Sequence, residues 1–171
     1  MTLETLRFAL AETSLGPVLV AASEKGLRAV LFGTNPKTLT SDLRRRFPKA
    51  ELLPGDKAFG KTAARVAAVI EEPRAPLGLP LDLDLHGTAF QQRVWRALQA
   101  IPPGRTESYA GIAARIGAPK AARAVAGACA ANALAVVVPC HRVVRGDGEV
   151  SGYRWGVGRK KKLLRREGTQ S

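Results

Sequence analysis

The sequence predicts an α/β (α+β) protein of two lobes. Residues 1–85 read as mixed strand and helix, and residues 86–171 as a mainly helical lobe with a helix-turn-helix. Three observations carry this reading. Short β-prone runs broken by a hairpin signal fill the first 32 residues. Pro73, Pro76, Gly78 and Pro80 mark a linker. Beyond Thr88 the apolar spacing becomes helical. A chain of 171 residues that is 46% hydrophobic can bury a core, and disorder is excluded for the bulk of it.

Along the chain, Arg7–Thr13, Pro17–Ala22 and Leu27–Phe32 are strand candidates, and Ser23-Glu24-Lys25-Gly26 suggests a hairpin between the last two. Leu39, Leu43 and Phe47 at four-residue steps predict a helix over 39–47. A second helix spans 59–70 and ends before Pro73. Leu81–Leu85 alternates strictly, as a half-buried strand does.

In the second lobe, Thr88 and Gln91 fit a capping box, and Phe90, Val94, Trp95 and Leu98 make the apolar face of the helix it opens. Ile101-Pro102-Pro103-Gly104 stops that helix. Ser108 can cap a short helix from Tyr109 to Ile116, ended by Gly117. Pro119, at a first-turn position, opens a helix to about Ala131. Helix, tight turn and helix make the helix-turn-helix. The apolar run Leu134–Val138 reads as a buried strand, and the tail 159–167 as a basic helix. No internal repeat is evident.

Lys plus Arg is 27 against 14 Asp plus Glu, a net charge of +13. Such an excess suggests a polyanionic partner, most often nucleic acid; a solvated basic surface is the plainer alternative. With two cysteines (Cys129, Cys140) and two histidines (His86, His141), the chain holds no disulfide framework and no zinc module, and no metal is expected. A thiol that must stay reduced, with no signal peptide and no membrane-length apolar stretch, gives a cytoplasmic expectation.

The chemistry concentrates at Pro139-Cys140-His141-Arg142-Val143-Val144. A thiol beside an imidazole is a candidate nucleophile with its base, and the base needs an acid to orient it. In an extended segment the two side chains point apart, so a turn or a water has to join them. Asp147, Glu149 and Glu167 are the nearby acids, and Glu167 is the sole acid of a strongly basic helix. Asn132, eight positions before Cys140, can cap a helix or brace the loop that holds the thiol. The second helix of the pair carries Ala121, Ala122 and a single mid-turn Arg123. Small side chains allow close approach to a narrow groove, and one Arg can fill the gap left by a displaced base. The same pattern fits a tightly packed helix with Arg123 as a surface charge. Ser151–Gly156, with Tyr153, Arg154 and Trp155, can close over a flat ring or pack as a surface loop.

The motif at 139–144, followed by Gly152-Tyr153-Arg154-Trp155-Gly156 and Leu163-Leu164-Arg165-Arg166-Glu167, resembles the O6-alkylguanine-DNA alkyltransferases, also called methylated-DNA–protein-cysteine methyltransferases. Within them the resemblance is strongest to the C-terminal domain of the bacterial adaptive-response protein. It covers about 87–168 with specific motifs and 1–85 more loosely. It implies a ribonuclease-H-like N-terminal lobe of structural role over 1–85 and a DNA-binding, alkyl-acceptor lobe over 86–171. It also implies a single-turnover reaction: an O6-alkylguanine is flipped from the minor groove of double-stranded DNA and its alkyl group moves to Cys140.

By motif position, His141 resembles the base acting through a water, and Glu167 the residue orienting it. Asn132 resembles the loop brace and Tyr109 the proton donor to the leaving guanine. Arg123 resembles the finger that fills the stack, with Ala121 and Ala122 beside it on the DNA-contacting helix. Tyr153 and the Arg154 backbone resemble the pocket wall, with Trp155 expected beside them as a substrate-binding residue, and the carbonyls of Cys140 and Val143 resemble the acceptors for the exocyclic amine. No cofactor is implied, since DNA supplies the alkyl group, and a monomer is expected because a one-base lesion has no dyad. The adaptive-response protein's phosphotriester-repairing, zinc-binding half has no counterpart here, so neither that activity nor its metal is expected. Bulky Arg154 and Trp155 suggest a pocket that accepts O6-methylguanine better than O6-benzylguanine. A thiol hydrolase would leave the helix-turn-helix and the charge without a role. An alanine-rich reading helix argues against a transcription factor. Lesion-marking relatives lack the acceptor cysteine that this chain has.

Overall fold

A computed structural model describes residues 4–73, 82–150 and 152–168. The chain forms two compact units, Met1–Leu85 and His86–Ser171.

In the first unit, β1 (Thr5–Thr13), β2 (Gly16–Ser23) and β3 (Gly26–Phe32) form an antiparallel meander. Ser23 pairs with Gly26 across a two-residue turn. Gly26 has φ +148°, and a Cβ there would meet the Asp82 carbonyl oxygen at 2.5 Å, so only glycine fits. Two helices cover the sheet: α1 (Pro36–Arg46) packs on β2, and α2 (Lys57–Glu71) on β1. Both start earlier than their apolar spacing predicts, because side-chain caps set the starts. Asn35 Oδ1 accepts from the Thr38 amide at 2.9 Å with Pro36 in the first turn, and Asp56 Oδ1 accepts from the Phe59 amide at 2.9 Å. A short β4 (Glu51–Pro54), which periodicity over four residues does not signal, pairs parallel to β1 and gives the order β3-β2-β1-β4.

The strand expected at Leu81–Leu85 is corrected. Leu81 lies outside the described residues, and residues 82–85 make a single bridge, Leu83 beside Leu27. Two backbone bonds flank it, Leu27 N–H to the Asp82 carbonyl and Asp84 N–H to the Leu27 carbonyl, both 2.8 Å. Alternation marks a half-buried edge here without building a ladder.

The second unit runs α3 (Ala89–Gln99), β5 (Glu107–Ser108), α4 (Tyr109–Arg115), α5 (Ala122–Ala131), a 3₁₀ turn (Cys140–Arg142), β6 (Val143–Val144) and α6 (Val157–Arg166). The capping box closes in both directions at 3.0 Å between Thr88 and Gln91. Gly117, at φ +80°, ends the α4 region. The expectation that Pro119 opens the next helix is corrected: the Ala121 amide bonds the Ala118 carbonyl at 2.9 Å, and α5 begins at Ala122 with no side-chain cap. The Trp95 indole N–H donates to the Ala128 carbonyl at 2.9 Å and ties α3 to α5.

Parallel pairing of β5 with β6 puts Ser108 beside Val144. It thereby brings Tyr109, the first residue of α4, toward the segment that carries Cys140. This unit holds 15 of the 27 basic residues and only 4 of the 14 acidic ones. Among the described residues no helix is long and apolar enough to cross a membrane.

Candidate active site

The run Leu134–Val138 is buried apart from half-buried Val137, as its composition predicts, but it is no strand. It is a stack of tight turns, and Asn132 is the reason. Its Nδ2 donates to the carbonyls of Leu134 (3.3 Å) and Val138 (3.0 Å) and to Cys140 Sγ (3.3 Å), while its Oδ1 accepts from the Leu134 amide at 2.8 Å. A side chain that takes the backbone groups a sheet would use folds the run on itself. The Val137 amide bonds the Ala135 carbonyl at 2.7 Å, a γ-turn centred on Val136 at φ 66°. A β-branched residue there is under steric strain, a state typical of functional loops. The Cys140 amide then bonds the Val138 carbonyl at 2.8 Å, and Cys140–Arg142 forms one 3₁₀ turn. That turn is what brings neighbouring Cys140 and His141 into one site.

Cys140 is 4% exposed. Burial pushes its thiol up to about 11, against the pull of the Asn132 hydrogen bond and the Lys160 charge. His141 is wholly buried, with Nε2 2.9 Å from Glu167 Oε2. Its Nδ1 is buried and has no hydrogen-bond partner among the described residues. Burial lowers the imidazole below 6.5, against the pull of Glu167, which keeps the ring neutral.

Glu167 caps the C-terminus of α6 and is 1% exposed. Burial works to raise its carboxyl, but hydrogen bonds from His141 and Arg142 outweigh it and hold the group at about 2. An ionised carboxylate only accepts, so Nε2 carries the imidazole proton and Nδ1 a lone pair. Arg142 donates Nε to Oε1 at 3.0 Å and Nη2 to Oε2 at 2.7 Å, and Nη1 to the Ile101 carbonyl at 2.7 Å.

A cavity of about 330 Å³ opens on the sulfur. Tyr109, Cys140, Tyr153 and Arg154 line it as expected, with Gly152 and, from one face of α5, Ala126, Cys129 and Ala130. The Tyr153 hydroxyl is buried without a hydrogen-bond partner among the described residues, and burial raises it well above 10. Its ring meets His141 edge-on at 6.4 Å and Trp155 at 5.5 Å. Arg154 Nη1 donates to the Asn132 carbonyl at 2.7 Å, and its guanidinium lies 5.5 Å from the Trp155 ring centroid.

Trp155 is not in the lining; it is buried behind Tyr153. Val143 is wholly buried, and its carbonyl accepts from Lys160 Nζ at 2.6 Å. Arg123 is exposed on the first turn of α5, next to half-exposed Ala121 and Ala122. Sequence reasoning missed Arg142 and Lys160 as site residues. A buried Glu167 in a basic helix calls for a cation, which could have found Arg142; nothing local says that Lys160, among six basic residues of that helix, points inward.

Fold and site define a protein that keeps a cysteine in the wall of a pocket, followed in the chain by a buried neutral histidine bonded to an ionised glutamate, in a helix-turn-helix unit. Two family models match in sequence: "6-O-methylguanine DNA methyltransferase, ribonuclease-like domain" over 6–83 and "6-O-methylguanine DNA methyltransferase, DNA binding domain" over 89–169. The Escherichia coli bifunctional transcriptional activator/DNA repair enzyme Ada is 56% identical over 162 residues, 95% of this chain and 45% of its own length. The chain therefore spans about half the length of the curated relative it matches there. A methylated-DNA–protein-cysteine methyltransferase of Methanosarcina barkeri is 38% identical over 156 residues, 91% of this chain and 93% of that one. The crystal structure of Mycobacterium tuberculosis OGT in complex with DNA superposes with a TM-score of 0.76 at 35% identity, covering 95% of this chain and 92% of that one. The chain belongs to the methylated-DNA–protein-cysteine methyltransferase family.

Proposed function

We propose that this chain repairs DNA by direct reversal, moving a methyl or other alkyl group from O6 of guanine in double-stranded DNA to its own Cys140, once per molecule. The observation that carries the reading is the lone pair of His141 Nδ1, buried and without a partner among the described residues, on the residue that follows the buried Cys140. Glu167 keeps the proton on Nε2. Nδ1 takes the thiol proton through a water, and the thiolate attacks the alkyl carbon. The S–C bond forms as the C–O6 bond breaks, and the guanine leaves with a proton supplied through the Tyr109 hydroxyl. The thioether has no hydrolytic exit in this site, and no cofactor is called for.

The 86–171 lobe would bind the minor groove, with Ala121 and Ala122 against the backbone and Arg123 in the vacated stack. Tyr153, Arg154 and the Val143 carbonyl would receive the flipped base, with Trp155 bracing Tyr153 from behind. The 1–85 lobe would be structural. O4-alkylthymine is a candidate second substrate. A monomer in the reducing bacterial cytoplasm fits a thiol that must stay free. Mass spectrometry after incubation with duplex DNA containing O6-methylguanine tests the reading. One methyl group on Cys140 without turnover is expected, and none on a Cys140→Ala chain that still binds DNA. Repeated turnover, or methyl on another residue, would overturn it.

A further inference from the structure

Lys160 is the largest fully buried side chain among the described residues, and the transfer reaction gives it no part. A wholly buried ammonium is costly unless its charge is used. Its Nζ donates to the Val143 carbonyl at 2.6 Å and to the Gly152 carbonyl at 3.1 Å. A cationic donor makes such bonds shorter and stronger than a neutral one does. The two acceptors come from separate segments of the site: Val143 follows the turn that holds Cys140, and Gly152 lines the cavity from the loop. The carboxylate closest in sequence, Glu167, is engaged by Arg142 and His141.

We propose that Lys160 is a positioning residue of the acceptor site: its ammonium ties the Gly152 loop to β6 and holds a fixed positive charge behind the cavity that stabilises the Cys140 thiolate as it forms. The inference rests on the reading of Cys140 as alkyl acceptor. Burial lowers Lys160 from its ordinary value and raises the Cys140 thiol to about 11, and the attraction between the ammonium and a Cys140 thiolate works against both shifts. The other groups facing the sulfur do not replace this charge. Cys129 on α5 and Tyr153 in the loop are held neutral by burial, and His141 is neutral in the same turn. Arg142 is paired with Glu167; Arg154 and Arg159, bonded to the carbonyls of Asn132 and Trp155, keep their charge, but Lys160 is the cation whose charge draws the Cys140 thiol down. Tyr109 faces the cavity from α4. The proton leaves through His141, so Lys160 takes no part in the proton transfer itself.

The test is Cys140 ionisation in the intact chain, read as the thiolate absorbance that a Cys140→Ala counterpart lacks. Lys160→Met is expected to raise the midpoint by about one pH unit or more, roughly tenfold less thiolate below it. Iodoacetamide alkylation of Cys140 should slow by the same factor, with the deficit closing at high pH, and Lys160→Arg should restore most of both. A folded Lys160→Met chain with an unmoved midpoint overturns the proposal. If that variant does not fold, wild-type chain labelled with ¹³C at lysine Cε decides. The Lys160 resonance is expected to shift where Cys140 ionises, and a resonance blind to that step overturns the proposal. Neither readout uses DNA, so a wild-type chain that takes no methyl from DNA would sink the transfer reading and leave the lysine result standing.

Discussion

Arg142 and Glu167 form a two-point buried ion pair, Nε to Oε1 at 3.0 Å and Nη2 to Oε2 at 2.7 Å. The pair fixes the one acid that orients His141, so stability and reactivity meet in it. Removing one partner of a buried pair leaves the other charge stranded. Arg142→Met is expected to lower unfolding stability by ~3–5 kcal/mol, read by chemical denaturation. A loss no larger than that of a surface Arg would contradict the pairing.

Acid should destabilise this site in two stages. His141 is lowered below 6.5 in the folded chain, so the unfolded chain binds its proton first and stability falls as pH drops below 6.5. Glu167, held at about 2 against an ordinary 4.5, contributes stability that is full above 4.5 and is lost as pH falls toward 2. Denaturation midpoints measured from pH 7 to 3 should slope throughout. In His141→Gln the slope just below 6.5 should flatten.

Asn132→Ala removes the donor to two carbonyls and to the sulfur, together with the acceptor of the Leu134 amide. Buried groups left without partners cost ~1–3 kcal/mol each. The variant should be less stable and its Cys140 slower toward iodoacetamide at neutral pH, since an interaction that draws the thiol down is lost. An unchanged alkylation rate would remove Asn132 from the site.

Val136 and Val138 are both buried, yet glycine should act differently at each. At Val136, φ 66° makes glycine the relaxed residue, and ~1–2 kcal/mol of relieved strain offsets the lost side chain. Val136→Gly should fall within ~1 kcal/mol of wild type, and Val138→Gly should cost roughly 3 kcal/mol. Equal losses in thermal unfolding would show that the turn is not strained.

If Arg123 fills the stack, Arg123→Ala should slow methyl transfer from duplex DNA far more than it weakens binding to undamaged duplex. Tyr109→Phe should slow transfer by ~10²-fold, the scale of a lost proton donor, at unchanged DNA affinity. Transfer at the wild-type rate in single-turnover assays would count against either role.

Much of the site is legible in the sequence because its parts sit in contiguous, unusual motifs. Cys140, His141, Asn132 and Glu167 come together as the motif order implies. Adjacent Cys140 and His141 require a turn to share one site, and three residues of 3₁₀ helix supply it. Local patterning fails where non-local bonding decides. Leu134–Val138 has the composition of a strand, and only the reach of Asn132 to Leu134, Val138 and Cys140 makes it turns. α1 and α2 begin at Asn35 and Asp56, polar residues whose capping bonds outrank the apolar period. β4, β5 and β6 are too short to show a period, and Lys160 looks like its basic neighbours until the fold turns it inward.

α5 carries Arg123 on its outer first turn and, one and two turns on, Ala126, Cys129 and Ala130 in the cavity wall. Ten helical residues make a stiff rod of about 15 Å, pinned at Ala128 by Trp95. A load on its first turn is carried along the rod without any relay of side chains. The width of the chamber around the sulfur is thus coupled mechanically to whatever that first turn leans upon.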